Sequence, residues 1–414
     1  MLKRISSDNL IILKNLSFLS ILRFFNIGVK FLLVAYLVRV LGRINYGILT
    51  WVDAAIQYFL IFINFGFEVY AAKYIVENRE SKANLNKVTS AIFIIKSLLF
   101  IISFLILYFL TFINSFEIYS NYLFLMLLMG FGEVFFPIWY FQGIEKLKLA
   151  TYITIISRLI LVIGTLFLVV QEDDLNIHIY LIVLSSFLMG IIGYFTIVKK
   201  FGFSFIWVDL ETVLKLFKDA YMFFLGRFLS LTFNFMTIFL IGIYYTMDFV
   251  TGFDIALKIV LVCIIPFDML QQAVFPTVTR NRDKSLIKKL IYGSIIFGLF
   301  LSAILYFYSF ELLNVFGGNN VSSYSNVLEV LAIIPPFVAL TFVLGTCTLV
   351  AFGYNKEYNQ SLILSSIVYI IIVLVLYFMG AITFWNLVYL RVFSDVILAL
   401  IRLFFVKKNK ILTK

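Results

Sequence analysis

Charge is scarce in this sequence. Asp, Glu, Lys and Arg make up 13% of the 414 residues, while 63% are hydrophobic. A soluble domain of this size carries about 25% charged residues, so the composition excludes one and requires a polytopic membrane protein. Histidine is almost absent. The single His178 falls at a predicted loop edge, which argues against a histidine-based metal site or catalytic triad; no metal ligands and no catalytic residues are expected, and the chain does not read as an enzyme. Cys263 and Cys347 both lie inside apolar runs, where cysteine acts as a small core residue. Long loops are missing too. No connection exceeds about 20 residues, which leaves no room for a soluble domain. The first apolar run is long and no small-residue cleavage site follows it, so no removable signal peptide is expected. Proline is limited to Pro137, Pro266, Pro276 and the pair Pro335-Pro336, all within or close to apolar runs. There a proline kinks a helix and offers a hinge point.

What remains is apolar length. Twelve runs can be counted, at 18–40, 47–70, 88–112, 120–141, 149–170, 177–198, 219–244, 249–273, 290–312, 327–351, 360–381 and 384–406. Each is long enough for a hydrocarbon core of about 30 Å. The expected fold class is an all-α polytopic membrane protein with twelve transmembrane helices. Cations alternate from loop to loop. Arg43 follows the first run, and Lys73, Arg79, Lys82 and Lys87 the second. None follows the third. Lys146 and Lys148 follow the fourth, and the acidic Glu172-Asp173-Asp174 the fifth. The positive-inside rule then puts both termini in the cytoplasm. The net charge of +11 records topology and contact with anionic lipid rather than nucleic-acid binding. Aromatic residues reach 19%, as lipid-facing bulk, core and interfacial belts.

A faint repeat runs through the chain. Shifted by about 204 positions, Lys14 falls on Lys218, Arg23 on Arg227, Asn26 on Ser230 and Lys30 on Asn234. Tyr46-Gly47 falls on Thr251-Gly252 one residue later in register. The reading is two parallel six-helix halves, residues 1–200 and 201–414, related about an axis along the membrane normal and enclosing a central cleft. The longest connection, Lys199 to Asp219, alternates aromatic and charged residues and is expected along the inner membrane surface.

Polar residues inside the runs form stripes. The first helix carries Arg23, Asn26 and Lys30 on one face, and the second Asp53, Gln57, Asn64 and Glu68. The seventh carries Arg227, Ser230, Asn234 and Thr237, and the eighth Thr251, Asp254, Lys258, Asp268 and Gln272. A cation at bilayer depth costs about 2.5–3.5 kcal/mol on insertion scales, so Arg23, Lys30 and Arg227 imply a wet cavity or an anion beside them. Asp254 and Lys258 also have the i,i+4 spacing of a self-neutralising pair. Lys96, Arg39 and Arg402 lie near expected span ends and read as snorkelling to the interface. Arg158 and the pair Arg391 and Asp395 fit either use, and Glu133 could titrate.

Several stretches carry a family resemblance. Val38-Arg-Val-Leu-Gly-Arg-Ile-Asn-Tyr-Gly47 resembles the turn after the first helix of polysaccharide flippases. Trp139-Tyr-Phe-Gln-Gly-Ile-Glu145 resembles the end of their fourth helix. Gly252-Phe-Asp-Ile-Ala-Leu-Lys258, followed by Pro266 and Phe275-Pro276, resembles their eighth. Together these resemble the Wzx-type O-antigen flippases, within the superfamily of multidrug, oligosaccharidyl-lipid and polysaccharide exporters. The resemblance implies a polyprenyl-pyrophosphate-linked oligosaccharide as substrate, moved by alternating access from the cytoplasmic to the periplasmic leaflet of a bacterial inner membrane. It puts Arg23, Lys30, Arg227 and Lys258 at the headgroup and Asp254 beside Lys258. Asp53, Gln57, Asn26 and Asn234 would meet sugar hydroxyls. Partners would be membrane lipids and the polymerase and chain-length regulator of the same pathway. No cofactor is expected, and coupling to a proton or sodium gradient stays open. Two alternatives stand beside this reading. One is a multidrug exporter of the same superfold. The other is a membrane glycan polymerase or glycosyltransferase, which the short outer loops disfavour.

Overall fold

The computed structural model of the chain describes residues 7–412, without the side chains of residues 7–32, 230, 232–234 and 320. Among the described residues it is helical throughout and has no strands. Nine helices or helix runs among the described residues are long and apolar enough to cross a membrane, and they cover nine of the twelve expected runs. Of the other three, 18–40 lies largely among residues whose side chains are not described. The run 219–244 falls within the helix Leu210–Tyr244. The run 384–406 falls within Phe384–Lys408, where Arg391, Asp395 and Arg402 interrupt the apolar residues. The chain is thus a multi-pass membrane protein.

Helix breaks follow local chemistry. The helix Ser7–Asn64 contains one non-helical residue, Gly42, at φ 71° and ψ 173°. Only glycine adopts that backbone without a Cβ clash, so the first expected run ends there. A second break at Phe65 and Gly66, both with positive φ, separates it from the helix Phe67–Asn78. Pro137 lies between the short helices Gly130–Phe135 and Ile138–Gly143. Pro335 and Pro336 open Ile334–Leu344, which passes into a π-helical turn, Gly345–Val350. These prolines mark breaks, as the sequence suggested. Pro266 and Pro276 instead sit within one continuous helix, Met247–Asn281.

The chain divides into two compact units. One comprises the residues up to Leu41 together with Val52–Phe228; the other comprises Gly42–Trp51 and Leu229–Lys414. The division falls inside the Leu210–Tyr244 helix, and the connection before that helix is fastened to the first unit. Ile206 N donates to Ser90 Oγ (3.0 Å) and Lys87 pairs with Asp209 at 2.9 Å. Phe65 stacks on Phe217 and Phe224, with ring centroids 4.0 and 4.7 Å away.

In a bilayer, helices associate through close packing and buried polar contacts, since lipid tails are as apolar as leucine. The first unit shows both. Its core gathers Phe67, Phe93, Trp139 and Phe141, and Ser185 and Ser186 donate to the carbonyls of Ser157 and Met129 (2.7 and 2.8 Å). In the second unit Thr237 shares a hydrogen bond with Tyr369 at 2.7 Å, and Tyr369 packs with Leu390.

Candidate functional site

In the first unit, Asn64 is the hub of a polar cluster. Its amide nitrogen donates to Glu68 Oε1 at 3.0 Å and Glu133 Oε2 at 3.5 Å. Its carbonyl oxygen accepts from Lys96 Nζ at 3.4 Å. Arg227 Nη2 stands 4.0 Å from Glu68 Oε2. Arg158 interacts electrostatically with Asp53 and Glu133, and Gln57 donates to Asp53 at 2.9 Å. Three cations, Lys96, Arg158 and Arg227, therefore meet three carboxylates, Asp53, Glu68 and Glu133. Balanced charge is the arrangement that low-dielectric surroundings tolerate.

In the second unit the polar centre joins the Gly42–Trp51 segment to the Met247–Asn281 helix. Tyr46 donates its hydroxyl proton to Asp254 Oδ2 at 2.7 Å. Lys258 donates to the same oxygen at 2.5 Å and to the Tyr46 oxygen at 2.8 Å. All three polar groups are satisfied within one triangle, with Tyr46 and Asp254 buried and Lys258 partly exposed. The segment is fixed at further points. Thr251 Oγ1 donates to the Arg43 carbonyl, Trp51 Nε1 donates to the Phe239 carbonyl at 3.0 Å, and the Trp51 and Phe239 rings stack. Gly47 lies directly against Met247, where a Cβ would stand 1.9 Å from the carbonyl oxygen. That contact and the Tyr46 hydroxyl account for the Tyr-Gly pair noticed in the sequence.

The residues proposed from sequence therefore part company. Asp254 and Lys258 form the anticipated i,i+4 pair, and Asp53 and Gln57 bond to each other. Arg227 is the most open of the described cations in the first unit's cluster, with 61% of its side chain exposed. Arg23, Asn26, Lys30 and Asn234 lie outside the described side chains, as does Ser230.

Two expectations are overturned. Lys96 and Arg402 do not snorkel; they are 1% and 4% exposed. Lys96 is drawn inward by Asn64. Arg402 donates to the Thr341 carbonyl at 2.6 Å and to Ser361 Oγ, and lies over the Tyr358 ring. Each partner sits on another helix, so position along the run could not reveal the contact. Arg391 and Asp395 prove to be a buried ion pair at 2.5 Å. His178, expected at a loop edge, is buried and shares a hydrogen bond with Thr165. Among the described residues no group of three or more His, Cys, Asp or Glu side chains is arranged to hold a metal ion.

Comparison with known proteins adds the following. A Shigella dysenteriae protein named "Putative O-antigen transporter" is 25% identical over 402 residues, covering 95% of this chain and 100% of that protein. An Escherichia coli K12 protein of the same name is 24% identical over 382 residues, covering 89% and 90%. The fold is similar to the lipid II flippase MurJ in an inward closed conformation, with TM-score 0.72, 15% identity and 95% and 87% of the two chains covered. It is also similar to an inward-facing multidrug resistance MATE family transporter of the MOP superfamily, with TM-score 0.71, 14% identity and 95% and 98% covered. The model of the polysaccharide biosynthesis protein family matches residues 12–282, more than half of the sequence, and the chain belongs to that family.

Proposed function

We propose that the chain is a flippase that carries polyprenyl-pyrophosphate-linked O-antigen oligosaccharide from the cytoplasmic to the periplasmic leaflet of a bacterial inner membrane by alternating access. The observation that carries this reading is its end-to-end correspondence with two proteins named as O-antigen transporters. Physical chemistry explains the need. Pyrophosphate and sugar hydroxyls lose their hydration in hydrocarbon at a cost that an unaided lipid cannot meet. A transporter must supply replacement donors and charges, while the tail stays among lipid chains.

Arg227 is the described cation best suited to the pyrophosphate, because more than half of its side chain is exposed. Lys258 is already committed to Asp254 and Tyr46 and serves the headgroup less well. Arg23 and Lys30 would join Arg227, and Asp53, Gln57, Asn26 and Asn234 would meet sugar hydroxyls. The positive loops support cytoplasmic termini. The polymerase and chain-length regulator of the pathway belong to the same reading. So does a proton or sodium gradient as energy source, with Glu133 the carboxylate to vary first.

The test is flipping of a fluorescent lipid-linked oligosaccharide in proteoliposomes. Wild type should flip it; Arg227→Ala at equal insertion should lose about tenfold or more of the rate, as expected for a charge-assisted contact worth about 1.5–3 kcal/mol. Wild-type vesicles that leave the glycolipid in place but export an organic cation would replace this reading with the multidrug one, which the MATE likeness supports.

A further inference from the structure

The second unit carries an apolar groove of about 510 Å³ between the helix Lys284–Phe307 and the run Ser325–Leu344, with Leu299, Ala303, Ile333 and Phe337 in its walls. Two polar groups interrupt it. Ser302 Oγ is buried and has no hydrogen-bond partner among the described residues. Glu329 lines the groove, accepts from Ser309 Oγ at 3.1 Å and forms no ion pair among the described residues. Because Ser309 lies two residues beyond the Lys284–Phe307 helix, that bond puts Glu329 at the helix's far end, opposite Lys284, Lys288 and Lys289. By the positive-inside rule this is the extracytoplasmic end.

Dimensions identify the occupant. The groove follows the helix from Ile295 to Phe307, about 18 Å at 1.5 Å per residue and so close to one leaflet of a hydrocarbon core of about 30 Å. An apolar groove of that length, open along its side, accepts a hydrocarbon chain of the surrounding leaflet. Charge then decides which lipid. A carboxylate at the headgroup end repels a pyrophosphate and attracts an ammonium.

We propose that this groove holds one acyl chain of an extracytoplasmic-leaflet aminophospholipid, with its ammonium on Glu329. The proposal does not rest on the flippase reading.

The full-length protein, equilibrated in vesicles of equal phosphatidylethanolamine and phosphatidylglycerol and then extracted in mild detergent, can be weighed with its retained lipid by native mass spectrometry. Phosphatidylethanolamine should be retained over phosphatidylglycerol by about fivefold. Glu329→Gln should abolish the preference, and Ala303→Phe, which fills the groove, should abolish retention. Should Ala303→Phe fail to fold, as read by circular dichroism, the preference of Glu329→Gln decides alone. Equal retention of the two lipids by wild type, or an undiminished preference in Glu329→Gln, overturns the proposal. So does displacement of phosphatidylethanolamine by an added polyprenyl phosphate. Since lipid mass is read without transport, a failure here leaves the flipping assay untouched.

Discussion

Tyr46 and Lys258 stand 212 positions apart in the chain and meet at 2.8 Å, both bound to the same oxygen of Asp254. The Asp254 side chain is almost wholly buried, while a third of the Lys258 side chain is exposed. Three partners thus share one charge pair, and removing any one leaves the others short by a different amount.

That asymmetry can be measured. Tyr46→Phe deletes one neutral donor and should cost about 1 kcal/mol. Asp254→Asn leaves the ammonium without its counter-ion and should cost about 3 kcal/mol. The double variant Asp254→Asn, Lys258→Met should recover most of that loss, because no charge is left over. Thermal unfolding of the purified protein, followed by tryptophan fluorescence, ranks the three. A double variant no more stable than Asp254→Asn alone would sink the account.

Two glycines make a second contrast. Gly47 abuts backbone, with a Cβ 1.9 Å from the Met247 carbonyl oxygen, whereas nothing lies within 4 Å of a Cβ at Gly293. Gly47→Ala must push two segments apart and should cost about 1–3 kcal/mol. Gly293→Ala, inside the Lys284–Phe307 helix, should be neutral or stabilise by up to about 1 kcal/mol. Unfolding temperatures of the two variants, compared side by side, check this; a milder effect at Gly47 than at Gly293 would contradict the packing described.

Local spacing carried part of this into the sequence. Asp254 and Lys258 lie one turn apart on one helix, so their pairing could be read without a structure. Tyr46 could not be joined to them, because nothing local records a partner some two hundred residues away. Lys96 and Arg402 were misjudged for the same reason: their positions near span ends suggested an interface, while the Asn64 amide and the Thr341 carbonyl that hold them belong to other helices. The apolar runs were long enough to fix their own class. The turn between the runs 18–40 and 47–70 was legible, but not that Gly42 makes it, since glycine is common in membrane helices and only its φ of 71° marks this one.

Acid should loosen the connection between Phe201 and Leu210. The Thr212 hydroxyl, the Lys87 ammonium and the Thr212 backbone amide together hold the Asp209 carboxyl well below its ordinary value of 3.8. A carboxyl more acidic in the folded than in the unfolded chain stabilises above its unfolded value, and that stabilisation fades as pH falls toward the folded one. The difference in unfolding temperature between wild type and Asp209→Asn should therefore be largest near neutrality and shrink between about pH 5 and about pH 2. A constant difference across that range would show that the ion pair and hydroxyl contribute nothing through the charge.

The ten residues from Gly42 to Trp51 belong to one unit while the chain on both sides of them belongs to the other. During synthesis this sets a waiting time. Asp254 leaves the ribosome 208 residues after Tyr46, about 10–40 s at translation rates of about 5–20 residues per second. Through that interval the segment is already made while the residues that will hold it are not. Dividing the gene at the unit boundary would deliver a first fragment holding ten residues of its neighbour's core and a second fragment lacking them, so neither product would be a complete folding unit.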